Sequence, residues 1–419
     1  MSVVLRRAAL AYLIVWQLSP PLAYGAGWRF LAVLAMLLWL ALDTLAARSV
    51  LRRPNWPVLG GAAFVLYTVF VEWLVPDSAS ISRQFQIWIM FFFLLVGESQ
   101  QRGRSDEARF CFWVILLVLP IWSIATLWGI NTIGGDVSRT IARSSEEARE
   151  LVGQGIGGFG FVYTLVLCIP FLVHLAFRSG VYSVMRQPRW KVRASRLLIL
   201  GNLLLAALVV LRAGYTIALI LAAFAILCVL LIRSRRSRSL AISLCFVTLL
   251  VSLAGILINP ALRSLESVAA GTEYSAKVRD VRASLEDDSS TGTVHDRTER
   301  YSRSLRLFGE NPIIGTLTFD DVGKHSAVLD RFAQYGAVFG LLFLALLMFV
   351  PIRYLRSRQV PIGLSLSFLV VAIGFPMLNN VFMSWGLILY VFSRGAFVVM
   401  GIPLERSRQP MGQVRAAHA

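Results

Sequence analysis

The feature that most constrains this chain is its succession of long, charge-free apolar runs, of which Leu197–Val210 and Leu240–Ile258 are typical. Neither run alternates polar with apolar residues, which excludes the strands of a membrane barrel. A helix of about 20 apolar residues spans the hydrocarbon layer, where every backbone N–H and C=O must bond within its own segment. With 57% hydrophobic and only 15% charged residues, the chain is too apolar for an ordinary soluble domain. The sequence therefore predicts an all-α, polytopic membrane protein.

Twelve spans are predicted, near 5–24, 28–47, 57–75, 82–97, 109–130, 155–177, 197–211, 214–232, 240–258, 332–352, 361–380 and 382–401. The first follows Arg6 and Arg7 and runs into Pro20-Pro21, a pattern that imitates a signal peptide and is read here as a span. Alternate connections are strongly basic: Arg48/Arg52/Arg53, Arg102/Arg104/Arg109, Arg178 through Arg196, Arg233 through Arg238, Arg353/Arg356/Arg358 and the tail Arg406/Arg408/Arg415. By the positive-inside rule these face the cytoplasm, so both termini of this inner-membrane-type protein are expected there. On that assignment the cytoplasmic side holds roughly 24 Lys and Arg against 5 acids, and the outer side roughly 16 against 18. The net charge of +18 is thus read as orienting the chain and not as binding nucleic acid. Cys111, Cys168, Cys228 and Cys245 share no spacing and sit in apolar runs, as packing residues do.

Within a single transmembrane domain, 1–419, two outer segments are large: 131–154 and 259–331. The second, a periplasmic loop between the ninth and tenth spans, is too long for an idle connection and is where function is expected.

Late in that loop, Arg297, Arg300, Arg303 and Arg306 recur at every third position, while Tyr301, Leu305 and Phe308 fall at helical spacing. The pattern predicts an amphipathic helix with one apolar stripe and fanned arginines. Two readings stand: a helix lying on the membrane with its arginines on lipid phosphates, or a helix whose arginines grip a pyrophosphate through the planar guanidinium fork. Asn311-Pro312 is expected to stop the helix and Gly315 to turn the chain. Residues Gly323-Lys324-His325-Ser326 then lead into the tenth span. If Ser326 caps that helix, His325 sits at its positive end, which keeps the imidazole neutral and fit to act as a general base. His295, His174 and His418 are competing or incidental histidines.

Arg212, at the outer end of the seventh span, is either a functional residue or a side chain reaching to headgroups. Gly155 through Gly160 resembles a dinucleotide fingerprint only superficially, since no strand precedes it, and is read as close helix packing. Asp287-Asp288 and Asp320-Asp321 lack the spacing of a calcium loop. Glu72 and Asp43, at span ends, are expected to be solvated.

Taken together, these residues resemble the O-antigen polymerase and O-antigen ligase superfamily of bacterial membrane glycosyltransferases. The likeness lies in about twelve spans with one late outer loop, in Arg297, Tyr301 and Asn311-Pro312-Ile313-Ile314-Gly315, and in His325-Ser326, Leu329-Asp330 and Tyr335-Gly336. Arg212 resembles the arginine of a Ser-Arg-Gly turn, with Leu211 standing where the family often has serine. The resemblance implies a GT-C-like helical fold and an undecaprenyl-pyrophosphate-linked glycan as donor, with no metal, nucleotide or other cofactor. It implies His325 as catalytic base, Arg212, Arg297 and Arg300 as pyrophosphate ligands, and Tyr301, Ser326 and Asp330 in support. The acceptor is then a second lipid-linked glycan, for a polymerase, or lipid A-core, for a ligase; His-Ser with the following Leu-Asp and Tyr-Gly favours polymerase. Membrane lipids, a chain-length regulator and a flippase are the partners it implies. Two rival classes remain: a lipid-linked glycan transporter or flippase, which calls for paired broken helices in two related halves, and a non-catalytic envelope scaffold.

Overall fold

The computed structural model describes residues 2–24, 26–75, 80–134, 137, 141, 146–177, 189–232, 293–380 and 384–402. Every longer regular element among them is helical: α1 Ser2–Leu18, α2 Pro20–Tyr24, α3 Ala26–Thr44, α4 Trp56–Leu74, α5 Ser80–Gln101, α6 Ser105–Ile133 and α7 Glu146–Gly153. There follow α8 Phe159–Phe177, α9 Arg189–Ala213, α10 Thr216–Leu231, α11 Thr293–Glu310, α12 Ala327–Arg356, α13 Ile362–Leu378, a π-helical turn Leu387–Phe392 and α14 Ser393–Val399.

Six of these are long and apolar enough to cross a membrane: Gly27–Thr44, Trp56–Leu74, Ser105–Ile133, Phe159–Phe177, Trp190–Ala213 and Ala327–Arg356. Shorter apolar helices occupy Ile217–Leu231, Ile362–Leu378 and Leu387–Val399. The chain is thus a multi-pass helical membrane protein. Helix is found at each expected span except the ninth, 240–258, which lies outside the described residues together with 259–292 of the long loop.

The core centres on α8, nearly every residue of which is buried. It packs against α9, α10 and α13, and α13 in turn lies against α12. Phe171 anchors this centre, meeting Phe368, Phe392 and Phe397 edge-on at 4.9, 5.8 and 5.6 Å between ring centroids. Because lipid is as apolar as leucine, such packing and the polar bonds between helices hold a bundle together. Pro120, Pro170, Pro351 and Pro376 sit inside helices, as neighbouring elements permit in membranes.

Polar contacts sort the helix ends into two groups. At one end, Arg6 Nε donates to Glu107 Oε2 at 2.5 Å, Arg104 pairs with Asp43, and Glu98 meets Asn55 and, at 3.6 Å, Arg353. At the other, Gln84 donates to the Tyr335 hydroxyl, Gly157 N donates to Thr126 Oγ1 at 2.8 Å, and Ser384 Oγ donates to Gln17 O at 2.9 Å.

Asp43 departs from expectation. It is fully buried rather than solvated, and its carboxylate accepts from Ser49 Oγ and Ser99 Oγ at 2.9 Å each, from Val50 N at 3.1 Å and from Arg104. A charge buried this deeply persists because donors surround it. Cys111, Cys168 and Cys228 are free and buried, as expected of packing residues; Cys245 lies outside the described residues.

Candidate functional site

The expected amphipathic helix is α11, and it ends at Glu310, directly before Asn311-Pro312. Its packed face differs from the expected stripe. Tyr301 and Phe308 lie against the bundle, but Leu305 is 52% exposed and Ser304 is the buried residue of this face. The reason is chemical: the surface opposite Ser304 is a carboxylate, where a hydroxyl belongs and a leucine does not.

That carboxylate is Asp330, in the first turn of α12, a position the helix dipole favours for an acid. Only 1% exposed, it accepts from Ser304 Oγ at 2.7 Å through Oδ1 and from Asn380 Nδ2 at 2.7 Å through Oδ2. Ser304 Oγ in turn accepts from Gly323 N at 2.9 Å. A side chain at position 323 would collide with the carbonyl of Arg300, so α11 and the segment leading to His325 touch backbone to backbone. At the other end of α11, Phe308 meets Phe332 of α12 edge-on at 5.4 Å. Tyr301 donates through its hydroxyl to Leu378 O at 2.9 Å, tying α11 to the end of α13 as well.

Ser326 caps α12 as expected, accepting from Leu329 N at 3.2 Å while its own hydroxyl donates to Pro376 O at 3.3 Å. His325 stands directly before this cap, half-buried. Its Nδ1 lies 3.1 Å from the Lys324 carbonyl, which can only accept, so that bond requires a proton on Nδ1. Lys324 itself adopts a left-handed backbone, φ +60°, a strained state for a side chain with a Cβ and one concentrated at functional sites.

The arginines divide. Arg300, Arg303 and Arg306 are exposed on α11, and of these Arg300 is the one whose backbone touches the His325 segment. Arg297 lies one turn before Tyr301 on α11; its side chain is outside the described residues. Arg212 is exposed in the last turn of α9, in a neighbouring layer. The chain turns after it at Gly214, and Tyr215 then stacks on Phe159 at 4.1 Å; Tyr163 of the same α8 face meets Phe375 at 4.1 Å, one residue before the Pro376 carbonyl that Ser326 reaches. Arg212, Arg300 and His325 therefore share one end of the bundle, with the end of α13 lying between the first and the other two.

Of the remaining candidates, His174 is buried in the last turn of α8. The His295 side chain, His418 and Asp287-Asp288 are outside the described residues. Asp320 is exposed and pairs with Lys324 at 3.0 Å, and Asp321 accepts from Thr318 Oγ1 at 3.0 Å. The glycine-rich 155–160 segment packs as expected, against Thr126, Trp122 and Ile156's neighbour Gly129.

Sequence reasoning missed Arg331. It is 1% exposed, donates to Gln334, and sets its guanidinium over the rings of Phe319 and Tyr335 at 5.2 and 5.6 Å. Tyr335 four residues later was the available signal. Asn380, the second donor to Asp330, carried none, since only the fold brings it there.

The arrangement sets exposed cationic groups near a half-buried histidine, with a chain of polar bonds joining their two segments. No protein-family model matches the chain, and no curated protein matches it.

Proposed function

We propose that this chain is a membrane glycosyltransferase of the O-antigen polymerase type, joining undecaprenyl-pyrophosphate-linked glycans at the periplasmic face of a bacterial inner membrane. In this reading the chain makes about twelve spans with both termini cytoplasmic, in accord with its charge distribution. The observation that carries the proposal is the backbone contact of Arg300 with Gly323, two residues before His325, which sets a cationic helix beside a half-buried histidine.

His325 Nε2 takes the proton from a sugar hydroxyl of the acceptor as that oxygen bonds to the anomeric carbon of the donor. The bond from that carbon to the pyrophosphate oxygen breaks, and undecaprenyl pyrophosphate leaves. Arg300 and Arg297, with Arg212 from the adjoining layer, neutralise the charge that develops on it. Pyrophosphate is already a good leaving group, so one base and fixed cations suffice.

The test is transfer by the purified chain in liposomes with lipid-linked glycan as donor. His325→Ala should lower turnover by about 10²–10⁴-fold, the usual contribution of a positioned general base, and a fully active alanine variant overturns the assignment. Supplying lipid A-core in place of the second lipid-linked glycan separates the two acceptors: product on the core only makes the chain a ligase.

A further inference from the structure

We propose that Asp330 is a positioning residue that holds the arginine helix in register with the His325 segment. Its catalytic consequence rests on the transferase reading; its mechanical role does not.

The carboxylate joins three separate parts of the fold. It belongs to α12, accepts from Ser304 of α11 at 2.7 Å, and accepts from Asn380, beyond α13, also at 2.7 Å. A carboxylate only accepts, so both neighbours must be donors, and the Ser304 hydroxyl, having given its one proton, is left to accept from Gly323 N at 2.9 Å. The direction of every bond in the relay is thereby fixed: Asn380 to Asp330, Ser304 to Asp330, Gly323 to Ser304. Gly323 is also where the Arg300 carbonyl comes to rest. A shift of Ser304 thus moves the arginine helix and the loop two residues before His325 together.

The docking of α11 does not depend on this relay alone. Phe308 still meets Phe332 at 5.4 Å, and Tyr301 still reaches Leu378 O at 2.9 Å. Loss of the relay should therefore misalign the two segments and leave the bundle folded, which is the behaviour of a positioning group.

A polarity swap tests this. Asn380→Asp sets two carboxylates face to face, a pair that repels unless it takes up a shared proton, so the variants are compared at alkaline pH. Adding Asp330→Asn restores the two side-chain bonds with direction reversed at one contact: the new amide accepts from Ser304 and donates to the new carboxylate, while the backbone amides of Lys324 and Ser326, which also bond the native carboxylate, are left with its one oxygen. Ser304→Ala is the companion variant, deleting one donor and leaving Gly323 N without its acceptor. In the full-length chain in nanodiscs, Asn380→Asp and Ser304→Ala should each raise amide exchange across 300–310 and at Gly323 about tenfold, as loss of a buried polar partner does, and lower turnover about as much. The swapped pair should return both readings to within about threefold of the native chain. Unchanged exchange in both single variants, or a swapped pair no better than Asn380→Asp, overturns the proposal. If exchange follows the swap and the native chain transfers no lipid-linked glycan, the link stands and the transferase reading falls; if His325→Ala abolishes transfer and neither exchange nor turnover responds to the swap set, the reverse holds.

Discussion

Gly315 and Gly336 face one another across a break in α12. Gly336, at φ +69°, interrupts the helix, and the carbonyls so released at Ala333 and Gln334 accept from Thr316 N and Leu317 N at 2.9 Å each, while Ala337 N donates to Pro312 O at 2.7 Å. A short stretch of loop thus stands in for a missing helical turn. A Cβ at 336 would strike the Ile313 carbonyl, and one at 315, itself at φ +79°, would strike Gln334 O. The two glycines therefore read as one structural lock that fixes the start of α12 and, with it, His325. Gly336→Ala should cost about 1–3 kcal/mol in stability from the backbone conformation alone, with the collision in addition. Gly309→Ala, in α11 with open space around the new methyl, should be neutral or stabilise by up to about 1 kcal/mol. Thermal unfolding in detergent compares the pair, and equal midpoints for the two variants would show that the lock is not formed.

At the opposite end of the bundle, the buried Asp43 pairs with the half-buried Arg104, with Ser49, Ser99 and Val50 N completing the carboxylate's bonds. Removing one charge strands the other away from water, at a cost of about 3–5 kcal/mol. Arg104→Ala should accordingly lower the unfolding midpoint far more than Arg109→Ala, whose pairing with Asp106 at 3.7 Å is solvated. Similar shifts for both arginines would contradict the buried assignment.

Asn202 places an amide in the middle of a lipid-embedded contact, donating to Leu116 O of α6 at 3.0 Å and to Leu198 O of its own helix at 2.9 Å. Both amide protons are thereby used, one of them between helices. Asn202→Leu should destabilise by only about 0.5–1.5 kcal/mol, because bonds between membrane helices are individually modest. A larger loss would mean that the α6–α9 contact depends on that bond more than packing explains.

What the sequence made legible follows from how local each signal is. The Ser326 cap, the stop at Asn311-Pro312 and the turn at Gly315 depend on a few consecutive residues and appear where the motifs put them. Apolar runs likewise located the helices, because lipid imposes the same length and composition on every span. Burial of polar groups was not legible in the same way. Asp43 looked like a helix-end acid, Ser304 like one position among arginines, and Asn380 like nothing at all, because each acquires its role from partners far away in the chain. Leu305 was assigned to the packed face by spacing, and the fold turned that face about one residue to bring a hydroxyl to Asp330 instead.

The arginines of α11 offer the sharpest separation between a catalytic helix and one that merely rests on lipid. Arg300, Arg303 and Arg306 are all exposed and carry the same charge, so a helix held to phosphates by general attraction should lose membrane affinity by similar amounts whichever is removed. A pyrophosphate ligand behaves otherwise. Arg300 has its backbone against the His325 segment, so Arg300→Ala should reduce transfer by about 10²–10³-fold, as loss of one fixed group opposite developing charge does. Arg303→Ala should stay within about threefold of the native rate, the scale of an unpaired surface change. Arg300→Lys keeps the charge and loses the planar fork, so it should recover only part of the loss. Measuring kcat/KM for the three variants with one lipid-linked donor decides the matter: equal losses at 300 and 303 would assign the helix to the membrane surface and take Arg300 out of the site.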